Sequence, residues 1–315
     1  MRILIIRPGA IGDTLLTLPV IQELRIQLGA EHITLVGNAD VLPLAQASGI
    51  VDATSSYGLL RWSELFSPNG IQDSTTLTLL QQTDLAICWL RNTDGIVRRN
   101  LLAAGIQQLI IVPGRPPEDA AMHITQYLAG TVGLTLTMPD LLRWQLPPLE
   151  QNDQLEETKR QVIAIHPGSG GARKCWPVKS FAAVIEQLWQ GGQAVLLLAG
   201  PADGERMAML EQFLPPPPSP LMLKIVKDAP LLEVAQHFRQ CQGYLGNDSG
   251  ITHLSAMLGL PTLALFGPSN PAVWRPLGPK VEVLYDPELA QLSVDMVMEY
   301  LSSQSGIHNC TCARG

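Results

Sequence analysis

The sequence contains few charged residues and no long apolar run. Charged residues make up 16% of the 315 residues, against about 25% in average soluble domains, so much of the chain must be buried. Apolar runs such as "AVLLLAG" at 194–200 are far shorter than the roughly 20 residues of a membrane-spanning helix. The run "ILII" is broken by Arg7 and Pro8, which is not typical of a signal peptide. We therefore expect a cytoplasmic protein that is soluble, or at most peripheral to the inner face of a membrane.

The sequence also lacks a disulfide framework, a basic segment and a carboxylate cluster. Five cysteines are a low and odd number, which fits a reducing compartment. The C-terminal "HNCTC" has no second cysteine pair to complete a zinc site, and we expect a disordered tail there. The net charge of -7 without a basic run argues against a nucleic-acid partner. No D-x-D triplet occurs, and clustered carboxylates are the usual ligands of Mg²⁺ in nucleotide-sugar enzymes. We expect no metal and no cofactor.

Apolar strand-like runs alternate with helix-like segments along most of the chain. The runs are continuous, as in strands buried on both faces of a parallel sheet. The polar stretch "PPLEQNDQLEETKR" at 147–160 indicates a linker, after which the alternation restarts. We predict α/β architecture with two Rossmann-like doubly wound domains, at 1–150 and 160–288, facing a central cleft. Residues 289–315 are expected to form a helix that packs back toward the N-terminal domain, and a flexible tail.

The first informative loop is "RPGAIGD" at 7–13, which begins a helix expected to run to Gly29. Gly9 and Gly12 permit a tight turn and the close approach of a ligand. The spacing does not match the G-x-G-x-x-G dinucleotide fingerprint. Asp13 is either a functional carboxylate or only an N-cap of the helix, and its position fits both interpretations.

The second loop, "HPGSGGARKCWP" at 166–177, suits an anion. Backbone amides near Gly170 can approach a phosphate, Ser169 can donate a hydrogen bond, and Lys174 supplies positive charge. The loop is not a Walker A motif, because G-x-x-x-x-G-K-[ST] is absent. The alternative is a flexible turn with a solvated lysine.

The third loop, "GNDSGITHLSAMLGLP" at 246–261, predicts a phosphate-binding helix start. Asp248 or Ser249 caps the helix, and the small residue Gly250 leaves its amides open. His253, one turn later, either contacts a ligand or caps. In a separate loop, Glu205 follows an apolar strand and could bind ribose hydroxyls, or it is solvated surface.

The segment "GLLRWSELFSPN" at 58–69 combines Arg61 with large apolar side chains. An arginine in such surroundings suits a phosphorylated or carboxylated lipid-linked glycan at a membrane surface. The alternative is that Trp62 and Phe66 belong to the local core and Arg61 is solvated.

Together, "RPGAIGDTLLTLP", "HPGSGGARKCWP" and "GNDSGITHLSAMLGLPTLALFGPSNPAVWRPLG" resemble, in order and spacing, the ADP-heptose:lipopolysaccharide heptosyltransferases, which are the family 9 glycosyltransferases. The resemblance extends from Met1 to about Gly278. It implies a GT-B fold and inverting, metal-independent transfer of a heptose or related sugar from an ADP-sugar. The acceptor would be a lipopolysaccharide-core or related glycan, free or lipid-linked.

The resemblance also implies roles for single residues. Asp13 matches the general base, which the acceptor would approach over Gly9 and Gly12. Lys174 matches the lysine on the donor phosphates, and Glu205 the acid on the ribose. The donor-binding loop matches Asp248, Ser249, Gly250 and His253.

Two alternatives remain open from the sequence. One is a nucleotide-sugar epimerase or hydrolase with the same fold, which should carry another acid in the first domain. The other is a non-catalytic nucleotide-binding module, which should lack the base; the presence of Asp13 argues against it.

Overall fold

The computed structural model describes residues 1–117, 120–149 and 161–304. The chain divides into two compact units, Met1–Asp153 and Gln154–Gly315. Most of the predicted linker, and the predicted tail with Cys310 and Cys312, lie outside the described residues.

The first unit is built on a parallel sheet. Its strands, within the described residues, are β1 (Arg2–Ile6), β2 (His32–Gly37), β3 (Ala53–Ser56), β4 (Leu85–Trp89) and β5 (Gln108–Val112). Its helices are α1 (Ile11–Leu15), α2 (Leu18–Leu28), α3 (Leu42–Ala47), α4 (Ser74–Gln81), α5 (Ile96–Ala103), α6 (Ile124–Thr131) and α7 (Met138–Arg143), with a 3-10 helix at Leu60–Phe66.

The second unit repeats this architecture. Its described strands are β6 (Val162–His166), β7 (Ala194–Ala199), β8 (Leu223–Lys227), β9 (Gly243–Asn247), β10 (Thr262–Phe266) and β11 (Val281–Tyr285). Its helices are α8 (Val178–Gln190), α9 (Gly204–Phe213), α10 (Leu231–Phe238), α11 (Gly250–Met257), α12 (Pro271–Trp274) and α13 (Val294–Gln304), with a 3-10 helix at Ala172–Lys174.

The strand orders place one topological switch point in each unit. The order is β3-β2-β1-β4-β5 in the first sheet and β11-β10-β9-β6-β7-β8 in the second. The sequence order therefore reverses between β1 and β4, and between β6 and β9. Doubly wound sheets bind ligands outside the carboxyl ends of the strands at such points. The predicted α/β class with doubly wound units is confirmed, and the cleft between the units stays a prediction.

The segment after the first loop forms two helices where one was predicted. α1 ends at Leu15 and α2 begins at Leu18, with Pro19 in its first turn. Proline has no N–H, and its ring clashes with the carbonyl four residues earlier, so the two helices cannot be continuous. Gly29 ends α2 with a φ of 57°, a left-handed conformation that favours glycine.

The C-terminal helix α13 belongs to the core of the second unit. Val297 and Leu301 are buried in the same cluster as Trp176 and Phe181, and the Trp176 indole N–H donates to the Leu292 carbonyl at 2.9 Å. Within its own unit, α13 packs against α8 and β10. That this helix also packs toward the N-terminal domain stays a prediction.

None of the helices in the described part of the chain combines the length and the apolar character that crossing a membrane requires.

Candidate active site

Asp13 is held by two arginines in the first unit. It lies in the first turn of α1 and is 7% exposed. Its Oδ1 accepts a hydrogen bond from Arg7 Nη2 at 2.9 Å, and its Oδ2 accepts one from the Ala10 amide at 3.0 Å. Arg115 Nη2 lies 3.7 Å from Oδ2. The N-cap residue of α1 is Ala10, so Asp13 is not the N-cap that the sequence left open. The ion pairs stabilise the carboxylate charge in a buried position.

Two glycines make the close packing around Asp13 sterically feasible. Gly9 has a φ of 145°, and a Cβ there would lie 2.7 Å from Asp13 Oδ2. A Cβ at Gly114 would lie 2.3 Å from Arg7 Nη1 and 2.7 Å from the Trp89 carbonyl. In the structure Gly9 lets the loop close on the Asp13 side chain; that it also lets an acceptor approach stays a prediction. Gly12 lies inside α1, directly before Asp13.

A pocket of about 370 Å³ lies beside the first switch point. Its lining combines guanidinium groups with aromatic and apolar side chains. The lining residues are Arg7, Pro8, Tyr57, Phe66, Trp89, Leu90, Arg91, Pro113, Gly114, Arg115 and Pro116. Three arginines at one apolar-walled pocket suit an anionic ligand that also carries an apolar surface.

Arg61 is not among the residues that line this pocket. Its Nη2 and the indole N–H of Trp62 both donate to Ser55 Oγ at 2.9 Å. Trp62 is buried, whereas Phe66 is 45% exposed and lines the pocket. The structure therefore places Arg61 and Trp62 around Ser55.

In the second unit, the predicted anion loop meets the third loop. Lys174 Nζ lies 2.7 Å from Asp248 Oδ2, and the Ser169 hydroxyl donates to the Asp248 carbonyl at 2.6 Å. The Asp248 side chain is 7% exposed, while that of Lys174 is 41% exposed. The ammonium group is thus anchored by a buried carboxylate and remains accessible to a ligand.

Ser249 is the N-cap of α11, as the sequence allowed. Its Oγ accepts a hydrogen bond from the Thr252 amide at 3.4 Å. His253 is buried in the same turn, with Nε2 4.0 Å from Asp248 Oδ1. The amides of Gly250 and Ile251 belong to the first turn of α11, where an anion is favoured.

The remaining predicted donor residues lie at the same edge of the sheet. Gly170 is exposed in the loop after β6. Glu205 is exposed in the first turn of α9, after β7, and β7 is the neighbour of β6 in the sheet. The structure thus places Glu205 on the surface of a helix start, one strand away from the cluster around Asp248.

Two buried groups in the second unit were not predicted from the sequence. His166 Nε2 lies 2.9 Å from Asp203 Oδ2, and His166 Nδ1 lies 3.3 Å from Ser249 Oγ. Although burial opposes it, the hydrogen bond from His166 holds the pKa of Asp203 below its usual range. The signal available in the sequence was a histidine at the end of an apolar strand, which is more often a core residue than a functional one.

Arg7 and Arg115 were also missed as site residues. Burial lowers the pKa of Arg7, against the opposing charge of Asp13. Within the described residues, no three histidine, cysteine, aspartate or glutamate side chains come together in a way that could hold a metal ion.

Comparisons with known proteins identify the family of this chain. The family model of glycosyltransferase family 9 (heptosyltransferase) matches residues 124–300. The lipooligosaccharide heptosyltransferase 2 of Haemophilus influenzae is 22% identical over 305 residues, which cover 90% of this chain and 88% of that protein. The lipopolysaccharide heptosyltransferase 2 of Escherichia coli K12 is 29% identical over 128 residues, covering 40% and 37%.

Solved structures share the fold. The E. coli ADP-heptose lipopolysaccharide heptosyltransferase II has a TM-score of 0.75 at 21% identity, covering 96% of this chain and 98% of that one. The E. coli heptosyltransferase WaaC with ADP has a TM-score of 0.69 at 18% identity, covering 96% and 100%. At these identities the likeness establishes the fold, which is the GT-B fold of these enzymes.

Proposed function

Since this chain belongs to glycosyltransferase family 9 and is a glycosyltransferase, we propose that it transfers a heptose or related sugar from an ADP-sugar to a lipopolysaccharide-core or related glycan. The observation that carries the proposal is the cluster of Lys174, Asp248 and Ser249 at the second switch point. An accessible ammonium group beside a helix N-terminus suits a diphosphate. The relatives that act on ADP-heptose support adenine as the base of the nucleotide.

The pocket beside Asp13 is the proposed acceptor site. Arg91 and Arg115 line it, and Tyr57 and Phe66 are partly exposed aromatic residues in its wall. A glycan bearing phosphate or carboxylate groups matches this combination. Leu60 is 85% exposed, and Phe66 belongs to the same 3-10 helix and lines the pocket, which supports peripheral contact with a membrane that carries a lipid-linked acceptor.

The proposed reaction is a single displacement. Asp13 takes the proton of an acceptor hydroxyl as that oxygen attacks the anomeric carbon from the face opposite the diphosphate. The bond between the anomeric carbon and the diphosphate oxygen breaks, and its electron pair leaves with the nucleotide. Lys174 and the α11 amides stabilise the charge that develops there. One displacement inverts the anomeric centre, and the lysine supplies charge that a metal ion would otherwise provide.

Nucleotide binding tests the donor assignment. We expect ADP to bind at least about tenfold more tightly than UDP or GDP, a difference of about 1.4 kcal/mol. Calorimetric titration in excess EDTA measures this preference and the metal requirement together. A preference for UDP would contradict the ADP-sugar donor, and ADP binding that appears only when Mg²⁺ is added would contradict metal independence.

Replacing Arg91 with alanine tests the acceptor pocket. We expect the acceptor KM to rise about tenfold with little change in ADP affinity, because a hydrogen bond to a charged group contributes about 1.5 to 3 kcal/mol. The matched control is Arg98→Ala, since Arg98 is exposed on α5 and is not among the pocket residues. Steady-state kinetics at saturating donor measure the effect. An Arg61→Ala variant with the larger rise in acceptor KM would instead restore the segment 58–69 as the acceptor contact.

A further inference from the structure

His166 and Asp203 form a buried pair at the carboxyl edge of the second sheet. His166 ends β6, and Asp203 follows the neighbouring strand β7. Both side chains are less than one-tenth exposed, and His166 Nε2 lies 2.9 Å from Asp203 Oδ2. A buried carboxylate is costly unless it is paired and hydrogen-bonded. The pair therefore needs a reason beyond the packing of the core.

Asp203 does not make the hydrogen bond that its position at the start of α9 favours. It is the N-cap residue of α9, where an aspartate usually accepts from the helix amides, yet its side chain makes no cap bond. Oδ2 instead accepts from the Gly200 amide at 2.7 Å and faces His166. A Cβ at Gly168 would lie 1.9 Å from Asp203 Oδ1, so the carboxylate packs directly on the Gly168 backbone. Asp203 therefore pairs with the His166 imidazole and does not cap α9.

The second nitrogen of His166 reaches the cap of α11. Nδ1 lies 3.3 Å from Ser249 Oγ, and Ser249 caps α11 through the Thr252 amide. In the tautomer whose Nε2 proton is donated to the carboxylate, Nδ1 carries a lone pair that faces Ser249 Oγ. The Ser249 hydroxyl then donates to His166 and keeps its own lone pairs for the helix.

The neighbouring hydroxyls offer Ser249 a competing acceptor. Thr252 Oγ1 donates to the Asn247 carbonyl, which leaves it accepting from Tyr244 Oη at 2.9 Å and from Ser249 at 3.0 Å. The single hydroxyl proton of Ser249 can therefore be directed either to Thr252 or to His166. The orientation of the imidazole decides between the two arrangements.

We infer that His166 and Asp203 are positioning residues for the donor diphosphate. By fixing the Ser249 hydroxyl they fix the first turn of α11, whose Gly250 and Ile251 amides then face an anion in one orientation. Neither residue takes part in proton transfer to or from the substrate. The inference rests on the proposed function, because it takes the diphosphate of the donor as the ligand at this helix start.

A double-mutant cycle on ADP affinity tests the inference. His166→Ala and Ser249→Ala should each weaken ADP binding about tenfold. The double variant should be no weaker than the weaker single variant, because both changes interrupt the same chain of contacts. The donor KM should rise while kcat at saturating donor changes less, which a general loss of folded protein would not produce. His237→Ala, a half-buried histidine of α10 that pairs with Glu233, is the matched control and should leave ADP affinity unchanged.

Three further variants keep the test decisive if His166→Ala does not fold. Gly168→Ala pushes the Asp203 carboxylate away without removing any functional group, and it should weaken ADP binding by a similar factor. Asp203→Asn keeps an oxygen for His166 and should retain most of the affinity that Asp203→Ala loses. Additive losses in the cycle would overturn the inference alone, and so would wild-type ADP affinity in Gly168→Ala or in Asp203→Ala. If the unmodified protein does not bind ADP, the proposed function is overturned. The inference then also fails, because it takes the donor diphosphate as the ligand at the start of α11.

Discussion

Replacing Asp13 with asparagine is expected to reduce sugar transfer by about 10² to 10⁴-fold, the usual loss on removing a general base. The asparagine keeps the size of the side chain and an oxygen for the Ala10 amide, but it cannot take the acceptor proton. ADP affinity should not change, because the proposed donor residues all lie in the second unit. The measurement is single-turnover transfer with ADP-heptose, together with ADP titration of the same preparation.

The Asp13→Asn experiment must separate a loss of catalysis from a loss of folded protein. Asp13 is the buried partner of Arg7, and an unpaired buried guanidinium is destabilising. Rates are therefore compared at a temperature below the thermal unfolding transition of the variant, which is measured on the same preparation. Asp40→Asn, at an exposed carboxylate after β2, is the control. Transfer at the unmodified rate in the Asp13 variant would show that the carboxylate only organises the loop, and sugar release to water in the unmodified protein would favour a hydrolase.

The buried strands could be predicted from the sequence, whereas three of the four edge strands in the described sheets could not. β1, β4, β6 and β7 consist almost entirely of apolar residues, and such runs indicate strands that helices cover on both faces. β3, β8 and β11 lie at the sheet edges and expose part of their residues. Their mixed composition, as in "ATSS" and "LKIVK", gives no continuous run. Their pairing is decided by the neighbouring strand, which a local pattern does not reveal.

The site residues divide in the same way. Glycine-rich loops and a serine before a helix are local signals, and they located Lys174, Asp248 and Ser249, which the structure brings together. Arg91 and Arg115 lie far from Asp13 in sequence, and only the order of β1, β4 and β5 gathers their loops around one pocket. His166 and Asp203 are joined only because β6 and β7 are neighbours. The missed residues are thus the ones that meet through sheet topology.

The second large effect is expected at Lys174. Replacing it with glutamine should lower kcat/KM for the donor by about 10² to 10³-fold, comparable to removing one preorganised donor from a site where charge develops. The loss should fall mainly on kcat, because the leaving diphosphate carries more charge in the transition state than in the bound donor. Lys280→Gln is the matched control, since Lys280 is exposed at the amino end of β11 and the proposed donor site lies at the opposite edge of the sheet.

The Lys174 experiment also tests what Asp248 does in the unliganded protein. The ammonium group lies 2.7 Å from Asp248 Oδ2, so a diphosphate must share or replace that carboxylate as its partner. The glutamine cannot neutralise either anion, and bound diphosphate would then face Asp248 across an uncharged side chain. ADP affinity should therefore fall in Lys174→Gln and partly recover in the double variant with Asp248→Asn, as titration of the four proteins would measure. If the effects of Lys174→Gln and Asp248→Asn on ADP affinity are additive, Lys174 does not contact the diphosphate. Its ion pair with Asp248 then only stabilises the loop.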